Sequence, residues 1–154
     1  AEQAVASMRY PPRGIRGVAK LNRGSSFGQD FDNYFAHAHE LLLTVIQIET
    51  VEAVNGIDNL AAVDGVDVLF IGPLDLSVNL GIPQQFDHPK FLEARNKVLE
   101  AAKKAGKVAG ILLLNPDQVE ETIAAGFSFV ALGSDGGLVA AGMKQLVSEF
   151  DNYR

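Results

Sequence analysis

Cysteine is absent from all 154 residues. That excludes disulfides, a thiolate zinc site and a cysteine nucleophile. It fits a reducing compartment, and a cytoplasmic location is the expectation. An excess of positive charge is absent too: 13 Lys and Arg stand against 19 Asp and Glu, a formal net charge of -6. A basic stripe for phosphate backbones is not expected, so nucleic acid is set aside as a partner. No apolar run reaches membrane-spanning length, and no membrane partner is expected. An opening methionine is missing as well. Ala1 starts "AEQAVASMRY", which reads as the end of a helix, so the chain is expected to begin inside something larger. What is present, 47% hydrophobic and 21% charged residues, is ordinary globular composition, long enough for one core and one domain.

The opening helix is stopped by Pro11-Pro12. "PPRGIRGVAKLNRGSSFG" reads as a long loop, of the kind that in compact domains is usually functional or disordered. "QDFDNYFAHAHE" has helical spacing, with Phe31, Tyr34, Phe35 and Ala38 on one face. Four apolar runs follow, each succeeded by helical sequence: Leu41 to Ile48, Val66 to Ile71, Lys107 to Leu113 and Phe127 to Leu132. Helices are expected near Thr50–Asn55, over "IDNLAAV" and "LDLSVNLG", from His88-Pro89 to Gly106, over "NPDQVEETIAAG", and from about Asp135 to Phe150. Strands apolar throughout, rather than alternating, are buried on both faces. Joined by helices they make right-handed βαβ units and a parallel sheet, so the fold class is α/β. Four such units are half of a (β/α)8 barrel, whose usual size is roughly 250 residues. A small open α/β sheet is the alternative.

Two acids end two of these runs. Gln47 and Glu49 are two apart on a strand and point to one side; Asp75 lies just past the next run, after Gly72-Pro73. Sequential strands tend to be neighbours, spaced about 4.8 Å, so the carboxylates could converge on one ion. With two protein oxygens and room for waters and substrate oxygens, the natural guest is a hard divalent cation such as Mg²⁺ or Mn²⁺. Each acid could instead cap the helix that follows it. At Gly72 the missing side chain lets a ligand approach the backbone, and amides at the start of the Leu74 helix could hold a carboxylate or phosphate.

"YPPRGIRGVA", "VIQIETVEAVNGI", "GVDVLFIGPLDLSVNLG", "DHPKF", "AGKVAGIL" and "GFSFVALGSD" together resemble the HpcH/HpaI aldolases, class II pyruvate aldolases that include 2-dehydro-3-deoxyglucarate aldolase and 4-hydroxy-2-oxoheptanedioate aldolase. The resemblance covers essentially the whole chain; "QIET" and "GPLDLS" are its specific parts. It implies a (β/α)8 TIM barrel of which residues 1–154 supply the C-terminal half, about the last four strand-helix units. It implies a homo-oligomer, usually a hexamer, with the last helix packed on a partner subunit. It implies that Glu49 and Asp75 bind a divalent metal (Mg²⁺, Mn²⁺ or Co²⁺). Gln47 and the backbone at Gly72, Pro73 and Leu74 would hold pyruvate or another 2-oxo acid, and Leu112 would line its methyl pocket. Arg23 would belong to a loop reaching a neighbouring active site.

The chemistry implied is formation or cleavage of a C–C bond between a pyruvate enolate and an aldehyde, the cation withdrawing charge from the keto group. The rival, a Schiff base, needs a lysine on a strand in the pocket. None of Lys20, Lys90, Lys97, Lys103, Lys104, Lys107 and Lys144 lies at the C-terminal end of a predicted strand. The family's histidine base and oxyanion-stabilising arginine lie in the first half of its barrel, so no catalytic residue is assigned here. His37 and His39 are expected to be solvated or at an interface, and His88 to open a helix. "GSDGGL" at Gly133–Leu138 could cradle a phosphate, but reads better as a strand-to-helix turn capped by Ser134 or Asp135. The alternatives are a citrate-lyase-like or phosphoenolpyruvate-binding barrel enzyme, and a non-catalytic half-barrel interaction module.

Overall fold

Four short segments become strands in the computed structural model, which describes residues 1–150 and 153. They are β1 (Val45–Ile48), β2 (Val68–Ile71), β3 (Val108–Leu113) and β4 (Phe129–Leu132). All pair in parallel, in the order β1-β2-β3-β4. The connections carry α3 (Val51–Asn55), α4 (Ile57–Ala62), α5 (Pro73–Asn79), α6 (Pro89–Lys104) and α7 (Val119–Ala125). α1 (Glu2–Met8) and α2 (Phe31–Leu41) precede the sheet, and α8 (Asp135–Glu149) follows it.

Strand order decides between the two architectures left open by sequence. Right-handed crossovers that always step the same way put every helix on one face of the sheet. A doubly wound open sheet reverses its order and covers both faces. No reversal occurs here, so the sheet is an arc of the barrel kind.

On the helix side, Ile48, Leu69, Ile71, Ala109, Ile111 and Leu113 form one core with Val54, Ile57, Ala61 and Leu76. α6 adds Phe91, Ala94, Val98, Ala101 and Ala102, a stripe at three- and four-residue spacing. Full burial of each large aliphatic side chain contributes about 1.5–3 kcal/mol. α6 starts as expected, with Pro89 in its first turn and the His88 Nδ1 accepting from Lys90 N–H at 3.1 Å. On the other face, Gln47, Phe70, Gly110 and Phe129 lie level with one another.

Strand limits differ from the apolar runs. Leu41 ends α2, Leu43 is exposed, and pairing starts at Val45. Val66 and Phe127 are buried, yet pairing starts two residues later in each case. An apolar run reports burial, and a chain entering a core is buried before it is paired. α2 turns Tyr34 and Ala38 inward, but onto Tyr10 and Leu42 rather than the main core. Phe35 stays partly exposed, stacked between Tyr10 (4.6 Å) and Phe31 (5.5 Å). The preceding loop is ordered by Arg16, which lies over the Tyr10 ring at 4.6 Å and donates to the Tyr34 hydroxyl at 2.9 Å. It also contains a 3-10 segment, Arg23–Gly28, held by the buried Ser25 hydroxyl donating to Lys20 O at 2.6 Å.

α8 begins as a capped turn, the Ser134 hydroxyl accepting from Gly137 N–H at 3.1 Å. It buries no side chain; Leu138, Val139, Met143 and Leu146 are all exposed. Among the described residues, no helix is long and apolar enough to cross a membrane.

Candidate functional site

Side chains alternate across a strand, so Val45, Gln47 and the next residue of that series, Glu49, share the face away from the helices. The ladder runs one step past the last paired residues: Gly72 N–H donates to Ile48 O at 3.3 Å. This brings Glu49 beside Gly72. A Cβ placed on Gly72 would meet Glu49 Oε1 at 2.5 Å and Glu49 Cγ at 2.8 Å. The half-buried carboxylate thus lies in the space that only glycine leaves free.

Gly72 is also the N-cap of α5, with Pro73 in the first turn, where its missing N–H costs nothing. That start carries Asp75 in the same turn, exposed at the C-terminal end of the sheet. Two buried residues hold α5 down. Leu76 is fully enclosed in the core. The Ser77 hydroxyl donates to Leu74 O at 2.7 Å and accepts from Gln84 N–H at 3.0 Å, which staples the following loop to the helix. Ile111 pairs with Ile71, so Leu112 comes level with Gly72, beside Ala131 and on the face of Gln47. Pro73 and Leu112 also border a cavity of about 200 Å³ between α6 and α7, lined further by Phe91, Arg95 and Thr122.

Capping does not occupy the two acids. α3 is capped by Thr50, whose hydroxyl accepts from Ala53 N–H at 3.1 Å, and α5 by Gly72. Among the described residues, neither Glu49 nor Asp75 makes a hydrogen bond or an ion pair with protein. Two carboxylates on adjacent segments and a Gln47 amide below them, all unengaged among the described residues, are a donor set that suits a hard divalent cation with open positions for ligand oxygens.

Gln47, Glu49, Gly72, Pro73, Leu74, Asp75 and Leu112 therefore gather at one end of the sheet. Arg23 does not join them; it opens the 3-10 segment, exposed, against α2. The histidines are engaged elsewhere: His37 Nδ1 lies 3.0 Å from Asn33 O, His39 Nε2 lies 3.4 Å from Glu40, and His88 caps α6. The lysines lie in the first loop, on α6, before β3 and on α8, so none reaches this end of a strand. Two contacts escaped sequence reasoning. Asn79 reaches back to the segment after Glu49, and Arg95 lines the cavity with its Nε buried and unpartnered among the described residues. The only signal for the first was its four-residue spacing from Asp75.

Residues 1–141 match the family described as HpcH/HpaI aldolase/citrate lyase. A pyruvate aldolase of Rhizobium etli is 41% identical over 150 residues, which is 97% of this chain and 59% of the relative. A 5-keto-4-deoxy-D-glucarate aldolase of Shigella dysenteriae is 40% identical over 97% of this chain and 58% of its own length. The crystal structure of an HpcH/HpaI aldolase/citrate lyase family protein from Burkholderia cenocepacia superposes with a TM-score of 0.82 at 32% identity, covering 94% of this chain and 58% of that one. The chain thus spans less than two thirds of the length of the relatives it matches.

Proposed function

The chain belongs to the HpcH/HpaI aldolase/citrate lyase family, and from that premise we propose that it is the C-terminal half of a metal-dependent aldolase barrel that makes or breaks a C–C bond between pyruvate and an aldehyde. The observation that carries this reading is the Glu49 carboxylate lying over Gly72 beside the turn that bears Asp75, with neither acid engaged by protein among the described residues. Glu49 and Asp75 hold a divalent cation, Mg²⁺, Mn²⁺ or Co²⁺. Bound there, the cation withdraws charge from a keto oxygen and so eases loss of a methyl proton. Gln47 and the backbone from Gly72 to Leu74 orient the carboxylate of the 2-oxo acid, and Leu112 packs on its methyl group. Bringing the reacting atoms to a set geometry lowers the entropic part of the barrier. The base that takes the proton comes from sequence outside this chain. Relatives named as aldolases at about 40% identity favour this over the citrate-lyase-like alternative.

The enzyme works in the cytoplasm as a homo-oligomer. Support for the oligomer is α8, whose apolar side chains find no cover among the described residues, and a lone helix of that length is marginal in water. Arg23 and its loop belong to the contact with a neighbouring subunit.

The test is Mn²⁺ titration of the full-length protein, followed by electron paramagnetic resonance, with and without pyruvate. Saturable Mn²⁺ binding that tightens with pyruvate is expected; no binding in either condition would remove the proposal. A variant tests the close approach. Gly72→Ala is expected to displace Glu49 and weaken Mn²⁺ about 10-fold. Stability should change by about 1 kcal/mol, because the atoms it meets all belong to the Glu49 side chain, which can rotate away, and none to the backbone. An unchanged Mn²⁺ affinity would show that Glu49 does not need that space.

A further inference from the structure

Glu49 sits on a strap that is tied to the Asp75 segment on both sides. On the strand side, Gly72 N–H donates to Ile48 O at 3.3 Å. On the helix side, Val51 N–H donates to the Asn79 side-chain oxygen at 2.7 Å. Val51 is the first residue of α3, so its N–H has no acceptor inside its own helix. The Thr50 cap serves Ala53 instead, which leaves Val51 to a side chain 28 residues along the chain. Asn79 is the last residue of α5, four after Asp75, and residues four apart share a helix face. The helix that carries one carboxylate thus holds the backbone two residues past the other.

We propose that Asn79 is a positioning residue for the Glu49–Asp75 pair. It fixes the Glu49-Thr50 link against α5 and so sets the separation of the two carboxylates before a cation arrives. The inference rests on the metal reading above. Without the tie, the Glu49-Thr50 link is held by the strand bond on one side and only by the packing of α3 through Val54 on the other, so its remaining freedom must be lost at the expense of binding. Outer-shell partners of this kind typically change metal affinity 10–100-fold when removed. Asn79 is exposed, so its truncation leaves no cavity in the core.

The experiment compares Asn79→Ala with Thr50→Ala in the full-length protein, reading affinity for Mn²⁺ alone and Tm. Both remove one hydrogen bond from the first turn of α3, so each should lower Tm by roughly 2–4 °C. Asn79→Ala is expected to weaken Mn²⁺ about 10-fold, and Thr50→Ala by no more than about twofold. Mn²⁺ binding by Asn79→Ala within about twofold of wild type, or an equal loss in Thr50→Ala, would reduce Asn79 to a helix-stabilising contact and overturn the proposal. Glu49→Gln separates the two levels. If wild type binds Mn²⁺ no better than Glu49→Gln, the metal reading itself fails and the positioning role goes with it. If wild type binds well and Asn79→Ala equally well, only the positioning role fails.

Discussion

Glu49→Gln or Asp75→Asn, each made in the full-length protein, is expected to remove metal-dependent aldol cleavage while leaving the fold intact. Both substitutions keep size and shape and delete one negative charge from a pair of oxygens proposed to hold a divalent cation. A cation stabilises developing charge by several kcal/mol, and each 1.4 kcal/mol is tenfold in rate, so a loss of about 10²–10³-fold in kcat/KM is the minimum expected. Tm should hold, because neither carboxylate has a protein partner to lose among the described residues. Kinetics at saturating Mn²⁺, alongside thermal melts, make the check. Activity within a few fold of wild type in both variants would remove the metal assignment.

The largest effect on stability is expected at Gly110, where the sheet face opposite the helices closes over a missing side chain. Phe70 and Phe129 flank Gly110 in register and meet edge-on, with ring centroids 5.9 Å apart. A Cβ on Gly110 would meet Phe70 Cδ2 at 2.7 Å, Phe129 O at 3.0 Å and Val68 Cγ1 at 3.1 Å. The phenyl ring can shift, but the carbonyl belongs to the ladder and cannot move without breaking it. Gly110→Val adds two more methyl groups to that space. A cost of about 3 kcal/mol is expected, at the upper end for overpacking. Tm should then fall by roughly 6–12 °C. A melt within about 1 °C of wild type would mean that the face relaxes freely. Metal affinity should survive in the folded fraction, since Gly110 lies two residues below the level of Glu49 and Gly72.

The placement of the candidate residues was legible because two strong signals coincide on them. An apolar run that ends in an acid marks the point where a buried strand surfaces, and Glu49 and Asp75 sit at two such points. Gly72 before Pro73 announced a helix start, which is found; the space expected there for a ligand is taken in part by the Glu49 side chain. The limits of β1, β2 and β4 were read too long, since Leu41, Val66 and Phe127 are apolar for reasons other than strand pairing. The face of α2 was read correctly, but not what it packs against, because periodicity names a side and not a partner.

The sequence by itself determined the alternation of strands and helices, their order, the helix start at His88, a capped turn at Ser134 or Asp135, and the two carboxylates at one end. These follow from burial, periodicity and capping, which act over a few residues. Tertiary structure alone decided that the strands run in unreversed order, and hence that the helices connecting them lie on one face. It alone placed Glu49 over Gly72, tied Val51 to Asn79 and left α8 uncovered. Each of these joins residues distant in the chain, or sets an element apart from the rest. Such relations are fixed by the register of strands and the packing of whole elements, which no local pattern encodes.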